Sequence, residues 1–487
     1  MKKILKQCTV SLLAVLLLSV PIVGGVPTAE ATTYTPKSYN YSYWGDSVPS
    51  PEAYSATNLV DGESLGVGAF AEPSDMHVTE NLDIYILDTG NNRVVVLNEQ
   101  LELIHEIDSF SLDGQSSTFA NPRGIFVNND DHIFIADSGN RRVVHLDQNL
   151  ELVKIIDNPE SELLGENFTF TPVKVVVDFA DRVFVMADGV FDGFMEFSVD
   201  GQFTTFIGAN RVRVDPIEYI WKRFATREQR SQMVMYVPTE FTSLDIDERG
   251  FVYATNADNS EDVIKKINAR GDDILRREGY FSPFGDVLYT RSSGPSRLVD
   301  ISVADSEIYS VLDARRGRIF TYNGDGHLMY VFGGLGNKVG EFHTPIAIER
   351  SGDQFLVLDR ELGEISIFAA TEYGQTLNEA VRSYESGDEE RAQQLYSEAV
   401  QMNMNLEFAY TGIGKALLRQ DDYEAAMNQF ERSLDQTNYS KAYLLFRNQE
   451  LRQHFSFIMT GVFILVVGFT SFVIYRRSTK RNRGVSV

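Results

Sequence analysis

Short apolar runs, separated by clusters of Gly, Asp, Asn and Pro, fill the chain between residues 55 and 370. Runs of this length bounded by turn residues predict β-strands rather than helices. They recur as a group, clearest at Pro122–Leu146: Gly124-Ile125-Phe126-Val127, then Ile133-Phe134-Ile135-Ala136, then Val143-Val144-His145-Leu146. A copy stands at Pro73–Leu97, with Asp88 and Asp137 in matching places 49 residues apart.

Self-similarity at that period is the mark of a repeat architecture. Alignment by strand pattern gives six copies, whose first strands start at Pro73, Pro122, Pro172, Phe241, Leu298 and Pro345. Their second strands end at Asp88, Asp137, Asp188, Asn256, Asp313 and Asp359, 14 to 16 residues later. A third strand follows each, and a fourth follows the first five, at Glu102–Ile107, Leu152–Ile156, Phe203–Ile207, Ile274–Glu278 and Met329–Phe332. The sixth copy lacks a fourth strand, and Ser55–Val60 stands ready to supply it. Four short strands per copy make a propeller blade, and the N-terminal strand would close the ring. The expected fold class is therefore mainly β: a six-bladed β-propeller with the N-terminal strand completing the last blade.

The strings Asp88-Thr89-Gly90-Asn91-Asn92-Arg93-Val94 and Asp137-Ser138-Gly139-Asn140-Arg141-Arg142-Val143 resemble NHL repeats. That resemblance implies a propeller, usually of six blades, over about residues 55–370. Copy three, with Asp188-Gly189-Val190-Phe191-Asp192-Gly193, lacks the Asn and Arg, and copy four is also divergent. The repeated Asp and Arg suit a turn clasp, since a carboxylate ending a strand can hold turn amides and pair with an Arg. A catalytic group need not recur in every blade.

Beyond residue 370 the alternation stops and Ala, Glu and Gln dominate. Asp388, Ala392, Tyr396 and Ala399 recur 34 residues later as Asp422, Ala426, Phe430 and Ser433, with Tyr410, Gly414 and Leu417 on the helix between. This resembles two tetratricopeptide (TPR) repeats, in which small residues admit close helix packing. Such a unit would bind a peptide or protein, or space the propeller from a surface. A further helix, about Ser440–His454, would cap the array. Phe455–Tyr475 then runs 21 residues without a charge, enough at ~1.5 Å per residue to cross a ~30 Å hydrocarbon layer. Arg476, Arg477, Lys480, Arg481 and Arg483 follow and predict a cytoplasmic tail. At the other end Lys2, Lys3 and Lys6, the apolar run Val10–Val26 and Ala29-Glu30-Ala31 have the order of a signal peptide. The expected organisation is a signal peptide at 1–31, a lead segment at 32–54, the propeller at 55–370, a TPR-like unit at 371–454, a span at 455–475 and a basic tail at 476–487. The expected localisation is the cell membrane, single-pass, with the large domain outside. The lead segment, with Tyr41, Tyr43 and Trp44 among prolines, is expected to hold no regular element; its aromatics would pack on the domain or stack on sugars.

Charge narrows the function. Net charge is −25 for the chain, and residues 32–454 carry 36 basic against 68 acidic groups. Such a surface repels phosphate backbones and argues against nucleic acid. Cys8 is the sole cysteine and lies in the signal segment, so disulfides and thiolate sites are excluded from the processed chain. Of seven histidines only His77 falls on a predicted innermost strand, with His343 just before one, short of a zinc set. No cofactor or metal is expected. Residues 209–236 break the repeat: Asp215-Pro216 opens an amphipathic helix through Trp221, and residues 209–232 sum to +3. This helix would dock a partner or membrane surface, or pack on the rim. The function expected is a binding or scaffold protein taking a protein or glycan partner, with a secreted-type propeller enzyme (metal-dependent lactonase or lyase) as the alternative. The contact residues expected are Arg123 and Lys174 at the start of innermost strands, and Trp221, Lys222 and Arg223 in the insertion. No catalytic residue is assigned.

Overall fold

A computed structural model describes residues 37–164, 168–209, 239–256, 262–290 and 293–483. Six antiparallel sheets follow one another along the chain. Blade 1 comprises Asp75–Val78, Ile84–Asp88, Arg93–Leu97 and Leu103–Ile107. Blade 2 comprises Gly124–Val127, Ile133–Asp137, Arg142–Leu146 and Leu152–Ile156. Blade 3 is built from Pro172–Val177, Val183–Ala187, Phe194–Phe197 and Phe203–Ile207. Blade 4 has three strands, Phe241–Ile246, Val252–Asn256 and Ile264–Ile267. Blade 5 returns to four: Leu298–Val303, Tyr309–Asp313, Arg318–Tyr322 and Leu328–Gly333. Blade 6 holds Pro345–Ser351, Gln354–Asp359 and Glu364–Ala370, completed by Tyr54–Asp61.

Each innermost strand packs against that of the next blade, and the sixth meets the first, so the ring is closed. The closing strand pairs in antiparallel register from Glu364↔Asp61 to Ala370↔Tyr54. It removes the free edge that Glu364–Ala370 would otherwise present.

Two sequence expectations are corrected. Ile274–Glu278 does not form a fourth strand in blade 4; one bridge, Ile267↔Asp273, and the bond from Ile274 N to Lys266 O join it to the third strand. Asp273 turns back to accept from the Lys266 and Leu275 amides, and the Arg276 and Arg277 side chains are drawn to Glu307, Asp325 and Asp273. The lead segment does contain a regular element, a hairpin of Tyr39–Tyr41 with Ser47–Pro49. Gly45, at φ 86°, makes its turn, and Tyr39 is fully buried against blades 4 and 5. Tertiary burial of tyrosines overrode the prolines.

The turn clasp is also visible. Asp88 Oδ1 accepts from the Ala71 amide, and Oδ2 from Asn91 Nδ2 and Arg93 Nε, both at 2.8 Å. Asp137 repeats every bond with Ala120, Asn140 and Arg142. The residue after each Asp reaches the following blade: Thr89 Oγ1 donates to Pro122 O and Ser138 Oγ to Pro172 O. The repeated motif is thus a turn lock and a blade-to-blade stitch.

Five helices follow blade 6: α1 (Glu372–Ser386), α2 (Glu389–Met402), α3 (Glu407–Arg419), α4 (Tyr423–Arg432) and α5 (Gln436–Arg483). Each packs on the next. Asp388 and Asp422 cap α2 and α4 by accepting from Arg391 N and Ala425 N. α5 is one continuous helix of 48 residues, long and apolar enough to cross a membrane. The first helices share a core with blades 5 and 6, where Tyr54, Tyr330, Phe332 and Phe355 meet Tyr373, Leu377 and Ala380. Inside this joint Asn378 accepts from Tyr330 Oη and donates to Tyr54 Oη, and Arg350 Nη2 donates to both hydroxyls.

Candidate functional site

Strand pleat gives each blade two positions that share the axial face of its innermost strand, two and four residues after the start of the copy. The first tier is Asp75, Gly124, Lys174, Ser243, Asp300 and Ala347. The second is His77, Phe126, Val176, Asp245, Ser302 and Glu349. Contacts across the ring follow these tiers. In the first, Lys174 Nζ lies 2.6 Å from Asp75 Oδ1 and 3.5 Å from Asp300 Oδ1. Ser243 Oγ donates to the same Asp300 oxygen at 2.6 Å. The remaining carboxylate oxygens accept backbone amides of the following blade, Asp75 from Ile125 and Asp300 from Ile348. Gly124 is required here, because a Cβ would stand 2.4 Å from Val173 O.

In the second tier Asp245 Oδ2 accepts from Val303 N at 2.6 Å and Oδ1 from Ile246 N at 2.8 Å. Glu349 Oε2 accepts from Ser302 Oγ at 3.3 Å, and its Oε1 lies 3.7 Å from His77 Nδ1. His77 Nε2 meets Val127 O at 3.1 Å, and the ring lies against Phe126.

Charge in the two tiers is unequal. Lys174 is held protonated above the ordinary lysine value: burial opposes its charge, and Asp300 and Asp75 outweigh burial. One ammonium serves two carboxylates, so Asp75 stays raised, chiefly by burial, despite its ion pair. Burial, then the neighbouring Glu349, pushes Asp245 up to about 7. Burial, then Asp300, raises Glu349 well above the carboxylate range. Burial lowers His77, so its imidazole is neutral.

Above the second tier opens a funnel of about 640 Å³, walled by the loops between first and second strands. Ten carboxylates line it, against one guanidinium, Arg350, and His77. Some are paired: Asp178 with Arg182 at 2.6 Å, Asp247 with Lys266 at 3.3 Å, Asp305 with Arg382 of α1 at 2.9 Å. Through that last pair the helical unit joins the funnel rim.

The expected contact residues are dispersed. Lys174 is in the first tier, its ammonium engaged within the channel. Arg123 is on the surface where the innermost strand begins, bound to Asp188 Oδ2 of blade 3 at 2.5 Å. Trp221, Lys222 and Arg223 lie outside the described residues. Tyr41 is buried, its hydroxyl donating to Asp286 at 2.5 Å, whereas Trp44 is 80% exposed with Tyr43 edge-on against it. The sequence reading missed Asp75, Asp245, Asp300, Ser302 and Glu349. Their signal was available: polar residues at the same two offsets in aligned repeats where an apolar strand residue is expected. Glu278, Asp325 and His327 also bring ligand atoms within 4.8 Å of one another. There Lys415 of α3, at 2.9 Å from Glu278 and 2.5 Å from Asp325, and Arg276, at 2.7 Å from Asp325, already neutralise the acids.

Against known proteins, the NHL repeat family matches residues 119–146, which contain most of blade 2. No curated protein matches the chain. Among solved structures, virginiamycin B lyase from Staphylococcus aureus is similar with a TM-score of 0.40 and 10% identity, covering 65% of this chain and 100% of that one. A putative gluconolactonase gives 0.40 and 12%, covering 68% and 97%. A protein of unknown function from Bacteroides thetaiotaomicron gives 0.43 and 13%, covering 69% and 75%.

Proposed function

We propose that this chain is a membrane-anchored extracytoplasmic binding protein. Its propeller funnel takes a protein or glycan partner, and its TPR-like helices hold the ring at a set attitude above the bilayer. The observation that carries this reading is the joint between rim and helices. Asp305 lines the funnel and pairs with Arg382, while Asn378 is locked between two propeller tyrosines, so the funnel and α1 present one continuous surface. α5 leaves that same unit and carries the apolar span. The basic flank supports a cytoplasmic tail, with the funnel outside.

The test is photo-crosslinking in native membranes from a probe at Asn129 on the funnel rim, with one at Glu99 on the blade edge as control. The partner is expected to be trapped from Asn129 alone, and the triple variant Asp130→Arg, Asp181→Arg, Glu248→Arg to abolish it. Equal trapping from both probes ends the proposal. Arg123 and the Trp221, Lys222 and Arg223 insertion belong to the same proposal as a second contact area. Deleting residues 209–236 is expected to weaken capture while leaving the unfolding midpoint unchanged.

A second reading is a propeller lactonase or lyase. It is favoured by neutral His77 standing 3.7 Å from Glu349 at the funnel floor, a pairing suited to proton transfer. Its metal-dependent form requires stoichiometric divalent metal in the purified chain and loss of function on chelation.

A further inference from the structure

The two tiers of the channel differ in one respect that bears on the ligand. Both place two acids on blades two apart around the ring, Asp75 of blade 1 with Asp300 of blade 5 below and Asp245 of blade 4 with Glu349 of blade 6 above. The lower pair has its counter-cation built into the chain, since Lys174 Nζ sits between the two carboxylates. Among the described residues no lysine or arginine forms an ion pair with the upper two: the aligned position in blade 3 is Val176, that in blade 2 is Phe126, and the neighbouring His77 is 3.7 Å from Glu349. The upper tier, unlike the lower, forms the floor of an open funnel whose wall is acidic in excess. A cleft lined by one sign of charge, with low-dielectric walls, concentrates ligands of the other sign. Asp247, on the same wall, has a buried Oδ2 that accepts no hydrogen bond, its cation Lys266 standing off at 3.3 Å.

We propose that the upper tier is a receptor for a primary alkylammonium group, held between Asp245 and Glu349 as Lys174 is held between Asp75 and Asp300. This rests on the reading of the funnel as the binding site and names the chemistry it selects. An ammonium offers three donors and needs only acceptors around it. A divalent ion demands several oxygens stripped for direct coordination. Both oxygens of Asp245 already accept backbone amides and Glu349 is engaged by Ser302, which suits outer acceptance rather than direct coordination. Among the described residues, the group of three whose ligand atoms lie within 4.8 Å of one another is at Glu278, Asp325 and His327, away from this floor. The ammonium is supplied by a free polyamine or by a lysine side chain of a polypeptide.

The experiment is calorimetric titration of the full-length protein in nanodiscs with spermidine, trilysine, trilysine acetylated at every amine (Nα and Nε) and calcium. One or both amines are expected to bind, the acetylated peptide not, and affinity to fall several-fold between about 50 and about 500 mM salt. Spermidine alone binding identifies a small amine as the source; trilysine binding more tightly identifies a polypeptide. Glu349→Gln is expected to weaken amine binding about tenfold, a loss in scale with one charge contact in a partly desolvated site. Its carboxylate is engaged by a serine hydroxyl rather than a backbone amide, so the fold is kept, and an unchanged unfolding midpoint certifies this. Glu106→Gln on the blade edge is expected to change nothing. Binding that is indifferent to Glu349→Gln, retained by the acetylated peptide, or shown by calcium without competition from the amines overturns the proposal, as does the absence of amine binding at low salt. Crosslinking from Asn129 that survives saturating amine, with the floor site failing these tests, removes the ammonium receptor and leaves the funnel as a binding face.

Discussion

The side chain of Asp137 is fully buried and holds an amide of the preceding turn, the Asn140 amide group and the Arg142 guanidinium. Removing a carboxylate from such a setting strands three donors, which costs far more than the bond it made. Asp137→Ala is therefore expected to destabilise the protein by roughly 3 kcal/mol, read by urea denaturation. A loss below about 1 kcal/mol would return Asp137 to consideration for chemistry. The glycine two residues on is equally explicable. A Cβ at Gly139 would stand 2.5 Å from Ala120 O, the acceptor of its own amide bond, and Gly90 meets Ala71 in the same way. In the channel the acids act in the opposite sense. Asp245 and Glu349 hold their protons more tightly folded than unfolded, so their contribution to stability is full below their unfolded values near about pH 4 and is lost as pH rises above them, for Asp245 through about 7. Faced by Asp75, Asp300, His77, Lys174 and Ser302, Glu349→Gln should lessen the fall in Tm between about pH 5 and about pH 8. Parallel Tm profiles for variant and parent would show that the pair carries no such strain.

Among the elements, α3 shows how small residues set helix spacing. A Cβ on Gly412 would lie 2.6 Å from the Tyr396 ring of α2, and one on Gly414 2.6 Å from the Phe430 ring of α4. Both rings are buried, so neither can swing aside. Gly414→Ala gains helix propensity worth ~1 kcal/mol and forces an overpacked contact costing ~1–3 kcal/mol. A net loss of stability is expected, in contrast to Gly461→Ala on α5, where no atom stands within 4 Å. Stabilisation by Gly414→Ala would mean that α3 and α4 are not packed as described. The strand Tyr54–Asp61 is the other decisive element. Deleting it leaves Glu364–Ala370 as an open edge and removes Tyr54 from the joint with α1, so loss of folded, protease-resistant protein is expected on expression.

At the scale of the whole molecule, the joint between ring and helices is polar at its centre. Asn378→Leu removes an amide that satisfies Tyr54 and Tyr330 around a guanidinium with two buried donors unbonded. Destabilisation of roughly 2–3 kcal/mol is expected, with faster hydrogen exchange in α1 and in blade 6 together. Exchange confined to α1 would show the helical unit to be independent of the ring. The proposed topology is open to a direct test, because Cys8 is the sole natural cysteine. A membrane-impermeant maleimide applied to intact cells should label Glu99→Cys and spare Val485→Cys; the reverse pattern would invert the orientation.

Much of this was legible in the chain. Strand length, turn composition and the repeated Asp, Asn and Arg determined six blades, because local periodicity and a self-contained turn lock need no distant partner. The closing strand was readable too, from the one missing strand and the one spare. The apolar run at 455–475 likewise announced itself by length alone. Blade 4's outer segment and the Tyr39–Tyr41 hairpin were decided by tertiary contacts: Arg276 and Arg277 leave the sheet edge for partners 31 to 49 residues away or in the adjoining turn, and Tyr39 gains burial that its flanking prolines conceal. The channel was the least legible. Asp75, Lys174, Asp245, Asp300 and Glu349 are scattered over nearly three hundred residues, and each looks like an ordinary polar residue within an apolar strand. Only closure of the ring brings them around one axis, out of water, where the uneven match of one ammonium to four carboxylates sets the charge of the site.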